Sequence, residues 1–412
     1  MRCGDWVAIL ALAALGAVSV ATAEPLRLSM PEAVARATAA NLEYGAGRKD
    51  VDVAQANLDR SKSWLPSNPF FSAGSQHTSN GVGPNYTFLL SQELEVAGQR
   101  GARVAVAEQG VAKAQADLHN AAQTLAANVR TAFVDVLIGN DRVTLEQQSV
   151  AAASQLADQA SSRTPRSDSD RFDANSAHIQ ASRARRELAA AEQTRDAALG
   201  TLRRLLGLPL EQDLELVGAP IRTPKDLPPG PELVQRALDH RADLAALHHA
   251  LGRADQQLQL SRRERIPNVT LSGTFSRFEG DTLTGGDIGV PLPLFRDKTA
   301  DITEAAAERE RSKLELQYLE RSIAQEVIDA RRTCATAGGD VDTLARDIIP
   351  RSEDNVDLEQ QLFKQGSVSV TDLIGVQIDL LTARRDYLDA VQKYNEALID
   401  LARVTADDSL MQ

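Results

Sequence analysis

Asn85 to Arg100 reads NYTFLLSQELEVAGQR. Its first part alternates. Tyr86, Phe88, Leu90, Leu94 and Val96 fall on one face, broken only by Gln92. Thr87, Ser91, Glu93 and Glu95 fall on the other, with Leu89 the exception. A period of two with one apolar and one polar face predicts a strand. After Gly98 the pattern becomes Ala-rich helix and continues to Arg163. That is about 65 residues, or roughly 100 Å at the helical rise. A soluble globular domain has no use for a helix of that length.

The unit that holds this stretch occurs twice. Pro31-Glu32-Ala33-Val34-Ala35-Arg36-Ala37 matches Pro231-Glu232-Leu233-Val234-Gln235-Arg236-Ala237 at a constant offset, and Asn68 matches Asn268 at the same offset. Each copy runs as helix to a Pro-Asn break, Pro66-Ser67-Asn68 and Pro267-Asn268, and then enters a strand. Strands are expected at about 69–78, 85–96, 268–278 and 287–294. Turn residues separate them, Ser79 to Pro84 in the first copy and Glu279 to Gly286 in the second. Each copy thus carries one hairpin whose strands have the length of a tilted membrane-spanning strand. Heptad rows follow, Val104-Val111-Leu118-Leu125 and Val129-Val136-Val143-Val150 in the first copy. Leu373-Leu380-Tyr387-Tyr394-Leu401 is the row in the second. Each long helix breaks at a tight turn far from the strands, Ser161 to Asp168 around Pro165 and Ser167, and Lys364 to Ser369 around Gly366 and Ser367.

Composition is consistent with this plan. Of 412 residues, 43% are hydrophobic but only 4% aromatic, which suits long, closely packed Ala-rich helices better than one large core. A net charge of −12 argues against a nucleic-acid partner. Residues 1–23 have a basic start, a short apolar core at Val7–Val20 and a small-residue cleavage site, so they are expected to be a secretory signal peptide. Cys3 would leave with it, and Cys334 alone would remain, with no partner for an internal disulfide. The chain divides into a first repeat, 24–208, a Pro-rich connector, 209–230, expected to loop outside the bundle, and a second repeat, 231–412.

Two hairpins give four strands, which cannot close a barrel, and open edges in lipid are prohibitive. The chain is therefore expected to oligomerise. The expected class is mainly α with a small transmembrane β part.

The sequence resembles the outer membrane factors, the TolC-like outer membrane efflux proteins, and within them the branch that serves heavy-metal cation pumps, the CzcC and CusC type. The resemblance is carried by Pro66-Ser67-Asn68-Pro69, Ser91-Gln92-Glu93-Leu94-Glu95, Gly98-Gln99-Arg100 and Gly366-Ser367-Val368-Ser369-Val370-Thr371-Asp372-Leu373, with Tyr387, Ala390 and Tyr394 downstream. It implies a homotrimer with a shared 12-stranded β-barrel in outer-membrane lipid and an α-helical barrel in the periplasm. It also implies a periplasmic adaptor (membrane fusion) protein and an inner-membrane RND-type transporter as partners. Drug efflux and type I protein secretion are alternative cargoes of the same kind of duct. A periplasmic adaptor would need compact β-rich halves flanking a single helical hairpin. A structural coiled-coil protein would not carry two membrane-length hairpins.

No catalytic motif is present: no GxSxG, HExxH, Walker loop or CxxC. No enzyme activity, cofactor or metal site is expected. In the family an acid at the place of Asp372 lines the periplasmic entrance, where copies around an axis would attract cations and raise one another's pKa. By the repeat Asp173 corresponds to Asp372. Arg171 is placed to pair with these acids. Gly375 stands where a second acid of the family pattern could be. Helix capping is the competing role for both acids. Tyr86, Phe88, Leu90, Ile288 and Val290 are expected to face lipid, and Thr87, Ser91 and Thr270 the lumen.

Overall fold

A computed structural model describes residues 25–77, 85–162, 168–209, 211–295, 297–365 and 367–411. The expected signal peptide lies outside the described residues, as do Pro165, Ser167 and Gly366.

The two repeats follow one another element by element. A strand β1 (Leu26–Ser29) leads into α1 (Met30–Ala40) and α2 (Leu42–Ser61), then β2 (Phe70–Gln76), β3 (Asn85–Leu94), α3 (Gln99–Ser162) and α4 (Asp168–Leu205). After β4 (Leu214–Val217) the second copy gives α5 (Gly230–His240), α6 (Ala242–Arg263), β5 (Val269–Phe278), β6 (Asp281–Gly289), α7 (Thr299–Thr343), α8 (Ile349–Lys364) and α9 (Val370–Thr405). Local chemistry sets the starts. Ser29 and Glu32 form a reciprocal capping box on α1, and Asn41 accepts from the Tyr44 amide to cap α2. α5 has no such cap and opens on Gly230-Pro231, a Pro whose missing N–H costs nothing in a first turn.

α3 has 64 residues and spans roughly 100 Å. Its counterpart is α7 and α8 joined by a π-helical turn at Leu344–Ile348. Pro350 follows immediately. It has no N–H, and its ring would clash with the carbonyl four residues back, so one widened turn lets the helix continue. Near the sheet α3 packs between α2 and α6, and α6 against α7. At the far end α3 packs on α4 and α9, and α8 on α9. The heptad rows do this work: Val129, Val136, Tyr394 and Leu401 are almost wholly buried. Three apolar cores result. One joins α3, α5, α6, α7 and α9, a second joins β1, α1, α3 and α4, and a third lies at the tip among α3, α4 and α9.

The four long strands form one antiparallel sheet in the order β2-β3-β5-β6, so β3 of the first repeat pairs with β5 of the second. β2 and β6 are its outer edges.

The last strand differs from expectation. It runs over Asp281–Gly289, not 287–294. Glu279 and Gly280 both take positive φ, 49° and 97°, which is the two-residue hairpin turn that matches strand twist. The hairpin therefore closes at once, and the stretch expected to be loop pairs with β5. Pro291 and Pro293 cannot donate to a ladder and lie beyond its end. Val290, expected within the strand, sits one residue past it.

The connector is also more ordered than a free loop. β4 within it pairs in parallel with β1, and Arg27 forks onto the Glu215 carboxylate at 2.7 Å. Asn395, buried on α9, accepts from the Ile221 amide at 3.0 Å and donates to the Ile221 carbonyl at 2.8 Å. The Tyr394 hydroxyl accepts from the Lys225 amide at 2.9 Å. The strap is thereby held against α9.

Candidate functional site

Two regions bear on function: the sheet with its junction to the helices, and the opposite helical tip.

In an antiparallel ladder directly paired residues share a face. Phe88 pairs with Ala73 on one side and Phe275 on the other, and Leu271 pairs with Ile288. Tyr86, Phe88, Leu90, Phe71, Leu271, Phe275 and Ile288 therefore share one face. Thr87, Ser91, Thr270, Ser272 and Thr274 share the opposite one. The rings of Phe71, Phe88 and Phe275 form a row across three strands, with centroids 6.3 and 6.2 Å apart. This apolar face is uncovered, with Phe88 40% and Ile288 74% exposed. In water such a contiguous patch marks an interaction surface. Among the described residues no helix is long and apolar enough to cross a membrane.

The residues that carry the sequence resemblance stitch this sheet to the helices. Gly98 adopts φ 74°, allowing β3 to turn sharply into α3. The Arg263 guanidinium donates to its carbonyl at 2.6 Å. Gln99 is buried. Its carbonyl oxygen accepts from the Ala97 amide at 2.8 Å, and its amide donates to the Ile266 carbonyl at 3.0 Å and the Asn268 side chain at 3.3 Å. Asn268 donates to Glu93 at 2.8 Å, Gln92 to the Ser67 carbonyl at 3.0 Å, and Arg100 to the Lys62 carbonyl at 2.8 Å. The Pro-Asn break of the second repeat is thus hydrogen-bonded to the strand-to-helix turn of the first.

At the tip, α4 and α9 begin side by side. The Thr371 hydroxyl donates to Asp173 at 3.0 Å. Asp372 is exposed and closes a capping box. Its carboxylate accepts from the Ser369 hydroxyl at 2.7 Å and the Ser369 amide at 3.0 Å, while the Ser369 oxygen accepts from the Asp372 amide. Those donors hold the Asp372 carboxyl below the usual carboxylate range. In the single chain the direction is opposite to that expected from a ring of repelling acids, and the capping role weighed against the gate is present. Arg171 is exposed and stands 3.7 Å from Asp168, its near neighbour on the same helix, rather than on Asp173 or Asp372. Ser367 is exposed, and a Cβ added at Gly375 would meet nothing.

Sequence reasoning missed two polar contacts on α3. Glu146 is buried, its side chain 3% exposed, and Arg385 of α9 donates to both its oxygens at 2.7 and 2.6 Å. Asp135 lies partly buried between α3 and α9, and the Gln392 amide donates at 3.0 Å both to it and to Glu396. Burial first, and then the nearby Glu396 carboxylate, push the Asp135 carboxyl up to about 6. The available signal was Glu146's place among the apolar heptad positions Val143 and Val150, where a charge needs a partner. Among the described residues no group of three or more His, Cys, Asp or Glu could hold a metal ion.

The profile of the outer membrane efflux protein family matches residues 29–208 and 233–407. The chain belongs to that family. Its members are outer-membrane efflux channels, passive ducts rather than enzymes. Over 379 residues this efflux-family chain is 24% identical to the cobalt-zinc-cadmium resistance protein CzcC of Cupriavidus metallidurans, covering 92% of this chain and 90% of that one. The fold matches that of CusC with a TM-score of 0.77 at 16% identity, over 91% of each chain. It matches the open state of the Neisseria gonorrhoeae MtrE outer membrane channel with a TM-score of 0.77 at 19% identity, over 91% of this chain and 88% of the other.

Proposed function

We propose that this efflux-family protein is the outer-membrane duct of a tripartite efflux system. It assembles as a homotrimer, and each protomer gives its four strands to a 12-stranded barrel in the outer membrane. The long helices form a tunnel in the periplasm, where they meet a periplasmic adaptor and, through it, an RND-type pump in the inner membrane. The cargo is heavy-metal cations, a reading supported by the likeness to CzcC. Residues 1–23 direct secretion, and 24–208 and 231–412 are the two repeats joined by the 209–230 connector.

One observation carries this reading. A sheet with an uncovered apolar face and two open edges, β2 and β6, caps helices roughly 100 Å long. Lipid covers such a face, and a neighbouring copy closes such edges. Asp372 and Asp173, close together at the tip, would line the periplasmic mouth when several copies surround an axis.

Detergent-corrected light scattering of the purified protein tests the assembly, and a trimer is expected. A folded monomer overturns the shared barrel. Deleting the gene tests the cargo. Sensitivity to cobalt, zinc or cadmium should rise with no change toward hydrophobic drugs, and the converse pattern assigns the duct to drugs.

A further inference from the structure

Behind the tip, four helices leave a cavity of about 220 Å³. Leu145, Ser149 and Ala153 of α3 line it, with Val356 of α8 and Ile374 and Leu381 of α9. Apart from Ser149 these side chains are apolar. An apolar cavity of about 150 Å³ takes up a benzene ring, and at that ratio this one holds about eight or nine carbons. A second cavity, of about 160 Å³, shares Ser149, Leu381 and Gln180 of α4 with the first. Its other walls are charged, with Arg183, Arg186 and Glu187 of α4 and Arg385 of α9.

Ser149 stands where the two cavities meet. It is 4% exposed, and its hydroxyl has no hydrogen-bond partner among the described residues. A hydroxyl inside a helix can bond back to the carbonyl four residues earlier. On the same helix Thr144 does so to Asn140 and Ser161 to Ala157, and Ser149 does not. A buried polar group without a partner in its own chain calls for one from outside. The charges of the second cavity point the same way. Arg385 is taken up by Glu146, and Arg186 donates to Glu187 at 2.7 Å. Arg183 has no ion pair among the described residues, so one guanidinium at this cavity is uncompensated.

We propose that the two cavities form one binding site for an amphipathic carboxylate, a medium-chain fatty acid. Its hydrocarbon chain fills the larger cavity. Its carboxylate lies in the smaller one and accepts from the Ser149 hydroxyl and the Arg183 guanidinium. A wholly apolar guest would leave Ser149 without a partner, and a cationic one would meet Arg183 with like charge. α3 and α4 belong to the first repeat and α8 and α9 to the second, so the ligand bridges the two halves of the duplication. Ile374 lies three residues past Thr371, which places the site directly behind the Thr371–Asp173 contact.

The test uses the full chain in lipid nanodiscs, with octanoate as the probe and a diazirine-bearing octanoate as the photolabel. Labelled peptides are mapped by mass spectrometry, and affinity is read as the octanoate concentration that halves labelling. The label should fall on the α3 and α9 segments that hold Ser149 and Leu381. Ser149→Ala should raise the half-competition concentration about tenfold, the loss of one hydrogen bond to a charged group. Arg183→Gln should raise it for octanoate and leave competition by octanol unchanged. Ala152 is exposed and lines the larger cavity, so Ala152→Phe should fill it and abolish labelling there. Label confined to the strands, or cavity label that octanoate does not displace, overturns the site. Octanol competing as well as octanoate in the wild type, or unchanged octanoate competition in Arg183→Gln, overturns the carboxylate.

Discussion

The Thr371 hydroxyl donates to the Asp173 carboxylate at 3.0 Å, tying the first turn of α9 to the second turn of α4. These two residues belong to different repeats. The tip is therefore locked by a contact between the two halves of the duplication. Replacing Thr371 with Val keeps the shape and removes the donor. In planar-bilayer recordings the Thr371→Val channel should open more often than wild type, with assembly unchanged. Identical gating in the two would show that the lock does not hold the mouth.

Asp372 separates two roles by experiment. As a gate, Asp372→Ala should leave assembly intact and weaken block by divalent or trivalent cations from the periplasmic side, and Asp372→Lys should turn selectivity away from cations. As a cap alone, block and selectivity would stay at wild-type values. Ser369→Ala isolates the capping contribution and should cost about 1 kcal/mol of stability. Because the Ser369 donors lower the Asp372 pKa in the folded chain, their stabilisation is full above the ordinary carboxylate pKa. It is lost as pH falls through the depressed folded value.

On the sheet, Phe88→Arg should block assembly, since a cation on a lipid face costs about 2–4 kcal/mol at mid-bilayer. Thr87→Arg, one residue away on the polar face, should assemble and change conductance. The reverse result would mean that the two faces are exchanged. Size-exclusion profiles and single-channel currents of the two variants decide between them.

Glu146 is buried and depends on Arg385. Arg385→Ala leaves that carboxylate without its guanidinium and should cost about 3 kcal/mol. Replacing both, with Glu146→Leu and Arg385→Met, should recover most of the loss. Thermal unfolding of the three variants reads the difference, and equal destabilisation of the single and double variants would count against the pair.

Asp135 should make stability depend on pH in the opposite sense from a salt-bridged acid. Its folded pKa, about 6, lies above the unfolded value near 3.8, so the folded chain binds the extra proton in between. Stability attributable to this group falls as pH rises from about 4 to 6 and stays low above. Asp135→Asn should then stabilise the protein at pH 7.5, by about 1–2 kcal/mol once partial exposure is allowed for, and have little effect near pH 4. Melting temperatures at the two pH values test the sign.

Much of this molecule was written along the chain. The alternation in Tyr86–Leu90 set which side chains of β3 share a face, because strand geometry has a period of two whatever the surroundings. The heptad rows and the duplicated Pro-Glu and Pro-Asn signals announced the long helices and the two repeats, since both are local patterns met twice. What tertiary structure alone decided is which distant segments pair. The Thr- and Gly-rich Asp281–Gly289 has no alternation of its own and is a strand because β5 offers it a ladder. Leu26–Ser29 and Leu214–Val217 are each too short to persist alone and exist as a parallel pair, with Arg27 and Glu215 separated by 188 residues. The Glu146–Arg385 pair spans 239 residues. Periodicity reports the face on which a side chain lies; it carries no information about which other segment will meet that face, which is set by how the two repeats pack.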